Sequence, residues 1–297
     1  MKKIHKAHFF QAHKACALHA MKKGAFISLG MFMLAGLVFS AAVLLFHNTQ
    51  SADARFAEMA LYDRLYDMDS SMQLGFQKLF NSYSGISLSI TGDKVVIEET
   101  LPRSSSFILE LEGFLDYSSS AYSADPMVSY DEAVLASITD TLPIHIMPQG
   151  ITIRHASFPS GNLEIEPSSL NIYNYSLYLG SDRMTSAFND AATTSGSFPW
   201  MVSVATASGT STWSKNVDAS ALNTLSIIFD DGLPTENTIT VSLDNPAKLV
   251  VNKGSMQLAH RVSIGLGDRA EAYLDSGLYS ISFEKDKLSS EKAVKLA

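Results

Sequence analysis

Residues 25–46, AFISLGMFMLAGLVFSAAVLLF, form an apolar run with no charge and no proline. At about 1.5 Å per residue a helix of that length spans about 33 Å, enough to cross the hydrocarbon core of a bilayer. The pattern then turns amphipathic. Across residues 51–80 the apolar positions Leu61, Leu65, Met68, Met72, Gly75/Phe76 and Leu79 recur at spacings of three and four. That is one face of a helix, close to a heptad seam. No proline or glycine separates this stretch from the apolar run, so the sequence predicts one rod of span and stalk. Asn81-Ser82-Tyr83-Ser84-Gly85 is its predicted stop.

Beyond residue 85 the period changes to two, or to short apolar runs between turn residues. Predicted strands fall at 86–90, 94–99, 107–114, 150–155, 163–165, 170–179 and 201–205. Others fall at 222–229, 238–243, 247–251, 255–266, 270–274 and 277–284, with a short helix at 130–138. Turns are signalled at Thr91-Gly92-Asp93, Pro159-Ser160-Gly161-Asn162, Asp230-Asp231-Gly232, Asp244-Asn245-Pro246 and Asn252-Lys253-Gly254. Three polar stretches read as connections: 118–130, 181–199 and 208–214. The expected fold is mainly β with a long N-terminal helix. Residues 1–24 form a basic leader, 25–46 a transmembrane helix, 47–82 a helical stalk, and 83–297 an antiparallel, jelly-roll-like β-sandwich.

Charge sharpens this division. The net charge of −8 over 297 residues is unevenly spread. Lys2, Lys3, Lys6, Lys14, Lys22 and Lys23 precede the span with no acid among them. The other 16 basic residues stand against all 30 acids, leaving 25–297 at −14. A basic flank predicts a cytoplasmic N-terminus and an extracytoplasmic C-terminal domain at the cell membrane. An acidic domain excludes nucleic acid as an expected partner. Cys16 is the single cysteine, so the β-domain has no disulfide and no thiolate chemistry.

The junction before the span is distinctive. Lys22-Lys23-Gly24 is followed directly by Ala25-Phe26-Ile27. This resembles the class III signal of archaeal type IV pilins and pilin-like surface proteins. The resemblance covers about 25 residues. It implies a prepilin-type peptidase that cuts between Gly24 and Ala25 and leaves the apolar helix in lipid. It also implies a structural or assembly role through self-association of that helix. Leu29 stands at the fifth mature position, where many pilins carry an acid. Within the span, Gly36 and Ser40 form a small-xxx-small pair of the kind that lets membrane helices approach closely.

Catalytic motifs are not found: no GxSxG, HExxH, Walker loop or GxGxxG occurs. No enzyme, cofactor or metal is expected. His145, His155 and His260 fall in or beside strand patterns and read as half-buried polar residues. Glu110/Glu112 and Glu164/Glu166 are i, i+2 pairs that a strand places on one face, whereas Glu98 and Glu99 point to opposite faces. Asn174-Tyr175-Ser176 is a glycosylation acceptor sequence inside a strand pattern. Tyr173 and Tyr175 are expected on one face of that strand and Tyr178 on the other. Two function classes follow: a membrane-anchored, non-enzymatic pilin-like subunit, or a monomeric anchored binding module whose β-sandwich takes a glycan or a protein.

Overall fold

The structure is a computed structural model that describes residues 4–99, 106–123, 126–155, 162–183, 185–230, 237–254, 256, 258–283 and 288–296. Its helices are α1 (Ile4–Tyr83), α2 (Ser106–Ala121) and α3 (Glu132–Thr141). The strands are β1 (Ile86–Thr91), β2 (Lys94–Glu99), β3 (Met127–Tyr130), β4 (Ile144–Met147), β5 (Ile151–His155), β6 (Leu163–Pro167), β7 (Ile172–Gly180) and β8 (Thr185–Ala192). They continue as β9 (Phe198–Thr206), β10 (Gly209–Val217), β11 (Asn223–Asp230), β12 (Asn237–Asp244), β13 (Lys248–Asn252), β14 (Ala259–Leu266), β15 (Glu271–Phe283) and β16 (Leu288–Lys295). The chain divides into two compact units, Met1–Asp67 and Met68–Ala297.

The first unit is helical throughout its described residues. Its apolar segment is long enough to span a membrane, with a fully exposed 18-residue window of mean hydropathy 1.8. The second unit begins with the last turns of α1 and is a two-sheet β head that also carries α2 and α3. The expectation of a long N-terminal helix followed by a β-sandwich-like domain is met.

One sheet has six strands in the order β1-β2-β14-β7-β9-β10, and the other has ten. The second runs β16-β15-β4-β5-β6-β13-β12-β11-β8, with β3 also paired to β15. All pairs are antiparallel except β7 with β9. The core is built from inward rows of β-branched and aliphatic residues. Val95 and Ile97 of β2, Leu177 and Leu179 of β7, and Ile239, Val241 and Leu243 of β12 are all buried.

The final turns of α1 belong to this head. Met68, Met72, Phe76 and Phe80, four residues apart, are buried. Phe76 meets Phe114 edge-on at 5.1 Å and stacks on Tyr279 at 5.3 Å, while Phe80 meets Phe107 at 6.0 Å. The predicted seam here is the helix's contact with its own domain. Polar residues on the same turns close a sheet edge. Gln73 Nε2 donates to the Ala293 carbonyl (2.8 Å), and its Oε1 accepts from the Lys295 amide (2.8 Å). Gln77 Nε2 donates to the Lys295 carbonyl (3.0 Å). β16 is the last strand of its sheet, so two glutamines occupy backbone groups that would otherwise template pairing with another chain.

Several local predictions need correction. Residues 107–114 are not a strand but the start of α2. Phe107, Leu111, Leu115 and Ser118 are buried at helical spacing. The local Leu-Glu-Leu-Glu alternation imitates a strand, but burial of every fourth residue against α1 decides the outcome. Glu110 and Glu112 therefore lie about 200° apart on a helix and make no pair. The stretch 118–130 contains the end of α2 and β3. The stretch 181–199 contains β8, and 208–214 lies in β10. The two strands expected at 270–274 and 277–284 are one, β15, whose register shifts around Ser276. Gly277 there has φ +85°, a conformation that glycine adopts without Cβ strain. The turns at 159–161 and 231–232 lie outside the described residues.

Gly196 marks a close backbone approach. A Cβ there would stand 2.4 Å from both the Val217 carbonyl oxygen and the Asp218 amide nitrogen. Backbone cannot rotate away as a side chain can. Gly196→Ala should therefore cost about 1–3 kcal/mol, read as a lowered thermal midpoint of the head. An unchanged midpoint would show that the two segments are not held together this closely.

Candidate functional site

Inward rows on four strands end in ionisable side chains at the same end of the sandwich. The row Val95, Ile97 of β2 continues to Glu99. The row Ile264, Val262 of β14 continues to His260. Ile151 and Ile153 of β5 lead to His155, and Leu249 and Val251 of β13 lead to Lys253. Strand alternation alone points all four into the interior, and all four are buried. Glu99 and His260 are direct cross-strand partners. They belong to the six-stranded sheet, while His155 and the residue preceding Lys253 belong to the ten-stranded one.

Glu99 Oε2 lies 3.1 Å from His260 Nδ1 and 3.6 Å from Lys253 Nζ. Lys253 Nζ lies 3.1 Å from the same histidine nitrogen. The His155 ring stacks on that of His260, with centroids 6.0 Å apart and planes 25° apart. One donor atom from each of Glu99, His155 and His260 falls within 4.8 Å of the other two. A carboxylate carried into an apolar interior is stable only when paired, and Lys253 supplies the opposite charge. The expectation that His155 and His260 are half-buried is thus corrected, because both are enclosed. The signal was present in the sequence. Each apolar period-two row can be extended by one step, and each extension lands on a titratable residue.

The other sequence candidates are dispersed. Lys22, Lys23, Gly24 and Ala25 lie within α1. Gly36 and Ser40 are exposed, and a Cβ at Gly36 would meet nothing within 4 Å. Leu61, Leu65 and Leu79 are half-buried, and Met68 and Met72 are buried.

Asn174 is exposed on β7 and borders Gly265 of β14 at a register shift. That shift changes the expected facing of the tyrosines. Tyr173 and Tyr178 are exposed, while Tyr175 is buried. Two successive residues, Tyr173 and Asn174, face out at the bulge, which breaks the simple alternation. Tyr175 donates its hydroxyl proton to the Ala247 carbonyl (2.9 Å), and burial pushes its pKa far above the ordinary phenol value.

The remaining carboxylate candidates are surface pairs. Glu164 pairs with Lys248, and Glu166 pairs with Arg154 at 2.5 Å. The Arg154 hydrogen bond lowers the Glu166 pKa, and the Glu164 hydrogen bond raises that of Lys248. Glu98 pairs with Arg261 at 2.8 Å on the outer face, as alternation requires. His145 accepts or donates a 3.2 Å contact with Thr152 on the neighbouring strand. A pocket of about 550 Å³ beside α3 is lined by Ser129, Tyr130, Asp131, Glu132 and Ser280 among others. Asp131 there also caps α3, accepting from the amides of Ala133 and Val134.

Comparison with known proteins finds no matching family model, no matching curated protein and no matching solved structure.

Proposed function

We propose that this chain is a non-enzymatic, membrane-anchored surface protein, a pilin-like structural or assembly subunit. In this reading the basic leader is cytoplasmic and the β head extracytoplasmic, with the span 25–46 held in lipid. A prepilin-type peptidase trims the chain after Gly24. The observation that carries the reading is the exposed apolar surface of α1 beyond the span. Phe56, Met59, Tyr62 and Tyr66 recur at spacings of three, three and four, so they share one side of the helix. Each is more than half exposed. A row of large apolar groups on a helix is stable in water when a neighbour covers it. A second copy, held in the same membrane by the same span, is the neighbour this anchoring supplies.

The test has two arms in the native membrane. Mass spectrometry of the N-terminal peptide should find a mature chain that begins at Ala25. A chain that begins at Met1 or Met21 removes the peptidase from the reading. In the second arm, Tyr62→Lys with Tyr66→Lys should lower the yield of crosslinked oligomers at least tenfold while leaving the thermal midpoint of the head unchanged. Equal crosslinking in variant and parent would favour the monomeric binding module instead.

A further inference from the structure

We propose that Glu99, His155 and His260 form a site for a divalent transition metal ion with nitrogen and oxygen ligands, zinc above all. The bound ion would clasp the two sheets of the head together. Lys253 is the built-in cation that the metal displaces.

The donor set comes first. Two imidazoles and one carboxylate are a recurring three-residue set for zinc and for non-haem iron(II). Calcium and magnesium prefer an all-oxygen shell, so two histidines disfavour them. Geometry comes next. Two atoms bound to one zinc ion, each at about 2.1 Å, lie about 3–3.5 Å apart. Glu99 Oε2 and His260 Nδ1 already stand 3.1 Å apart. A His155 nitrogen completes a triangle no wider than 4.8 Å. The three residues are rigidly held. Each sits at a strand end on an inward row, and Glu99 is paired in register with Ile86 of β1 on one side and His260 of β14 on the other. The ligands are separated by more than 50 residues in every pair, so only the fold assembles them.

Charge identifies the competitor. The set carries one negative charge with both imidazoles neutral, and the Lys253 ammonium lies within 3.6 Å of two of the three ligands. A divalent ion and an ammonium do not share so small an interior. Lys253 must withdraw on its flexible stem. It therefore weakens metal binding, and its removal should strengthen it.

The experiment uses the full chain in detergent, stripped with a chelator and titrated with Zn²⁺ alone. Stoichiometry is read by elemental analysis, and ligand type by X-ray absorption at the zinc edge. The expected result is one ion per chain, with two imidazoles in its shell. Glu99→Gln and His260→Ala should each weaken binding at least tenfold, and Lys253→Met should strengthen it at least tenfold. Circular dichroism of the metal-free variants checks their folding, and the stoichiometry and ligand type read on the parent chain keep the test decisive should a variant fail to fold. His5, His8, His13 and His19 in the leader are the competing source of imidazole. Replacing all four with alanine should leave the ion in place. Absence of binding by the parent chain overturns the proposal, as does binding confined to Lys253→Met. Loss of the ion in the leader variant, or its indifference to Glu99 and His260, would overturn it equally.

Discussion

Phe76→Ala should lower the stability of the head by about 3–5 kcal/mol, the range for truncating a fully buried aromatic. Phe76 is 1% exposed and touches one ring from each of two elements, Phe114 of α2 and Tyr279 of β15. The cavity cannot close easily. On one side the Gly75 backbone already lies against Phe114, where even a Cβ would stand 2.5 Å from the ring. On the other, Tyr279 is fixed by donating to Asp69 (2.6 Å), while Gln73 Nε2 donates to its hydroxyl oxygen (3.1 Å). Burial and the Asp69 carboxylate together raise the Tyr279 pKa far above the phenol range, so the donor is retained at any pH of interest. The loss should appear in urea unfolding as a shifted midpoint at constant slope. A cost below about 1 kcal/mol would mean that the last turns of α1 are an appendage to the head rather than part of its core. Leu74→Ala, on an exposed position one residue before Gly75, is the control and should change little.

What is legible in the sequence divides by the range of the forces involved. Period-two strands with turn residues between them were legible, because alternation and turn chemistry are local. β2 and its hairpin partner β1 fall almost where predicted, around Gly92 with φ +58°. The α1 stripe was legible too, but its partner was not. Nothing in the spacing of Met68, Met72 and Phe76 says whether they face another chain or their own β15. α2 was misread because its sequence satisfies both periods, and only its buried neighbours decide between them. β8 and β10 were missed because they carry few apolar residues. Both are terminal strands of their sheets, where one face and one edge meet water and sequence needs little hydrophobicity.

The buried cluster was the most instructive omission. By type the two histidines read as half-buried, Glu99 as one of a pair facing opposite ways and Lys253 as part of a turn, and type is a weak guide when the inward row of a strand runs through them. Position was the better guide: Glu99 follows Val95 and Ile97 at the same parity, and Lys253 follows Leu249 and Val251. The parity of the row, not the residue type, places all four inside.

That burial sets the second large effect. Without metal, Lys253→Met should destabilise the head by about 3–5 kcal/mol, the cost of removing one partner of a buried pair. Methionine keeps most of the stem's volume, so the loss is electrostatic rather than a cavity. The carboxylate of Glu99, 2% exposed, is left with the histidines and without its cation. Adding Glu99→Gln in the same chain removes the stranded charge, and the double variant should recover more than half of the loss. Such non-additivity is expected of residues in contact or in one ion-pair network. Additive effects in urea unfolding would show that Lys253 and Glu99 are not paired in the folded head. The single variant also separates the two roles of the lysine. If Lys253 only neutralises Glu99, excess Zn²⁺ should restore the stability of Lys253→Met, because the ion binds the folded state and supplies the missing charge. In the Glu99→Gln, Lys253→Met double variant, which lacks the anionic ligand, the same zinc should restore little.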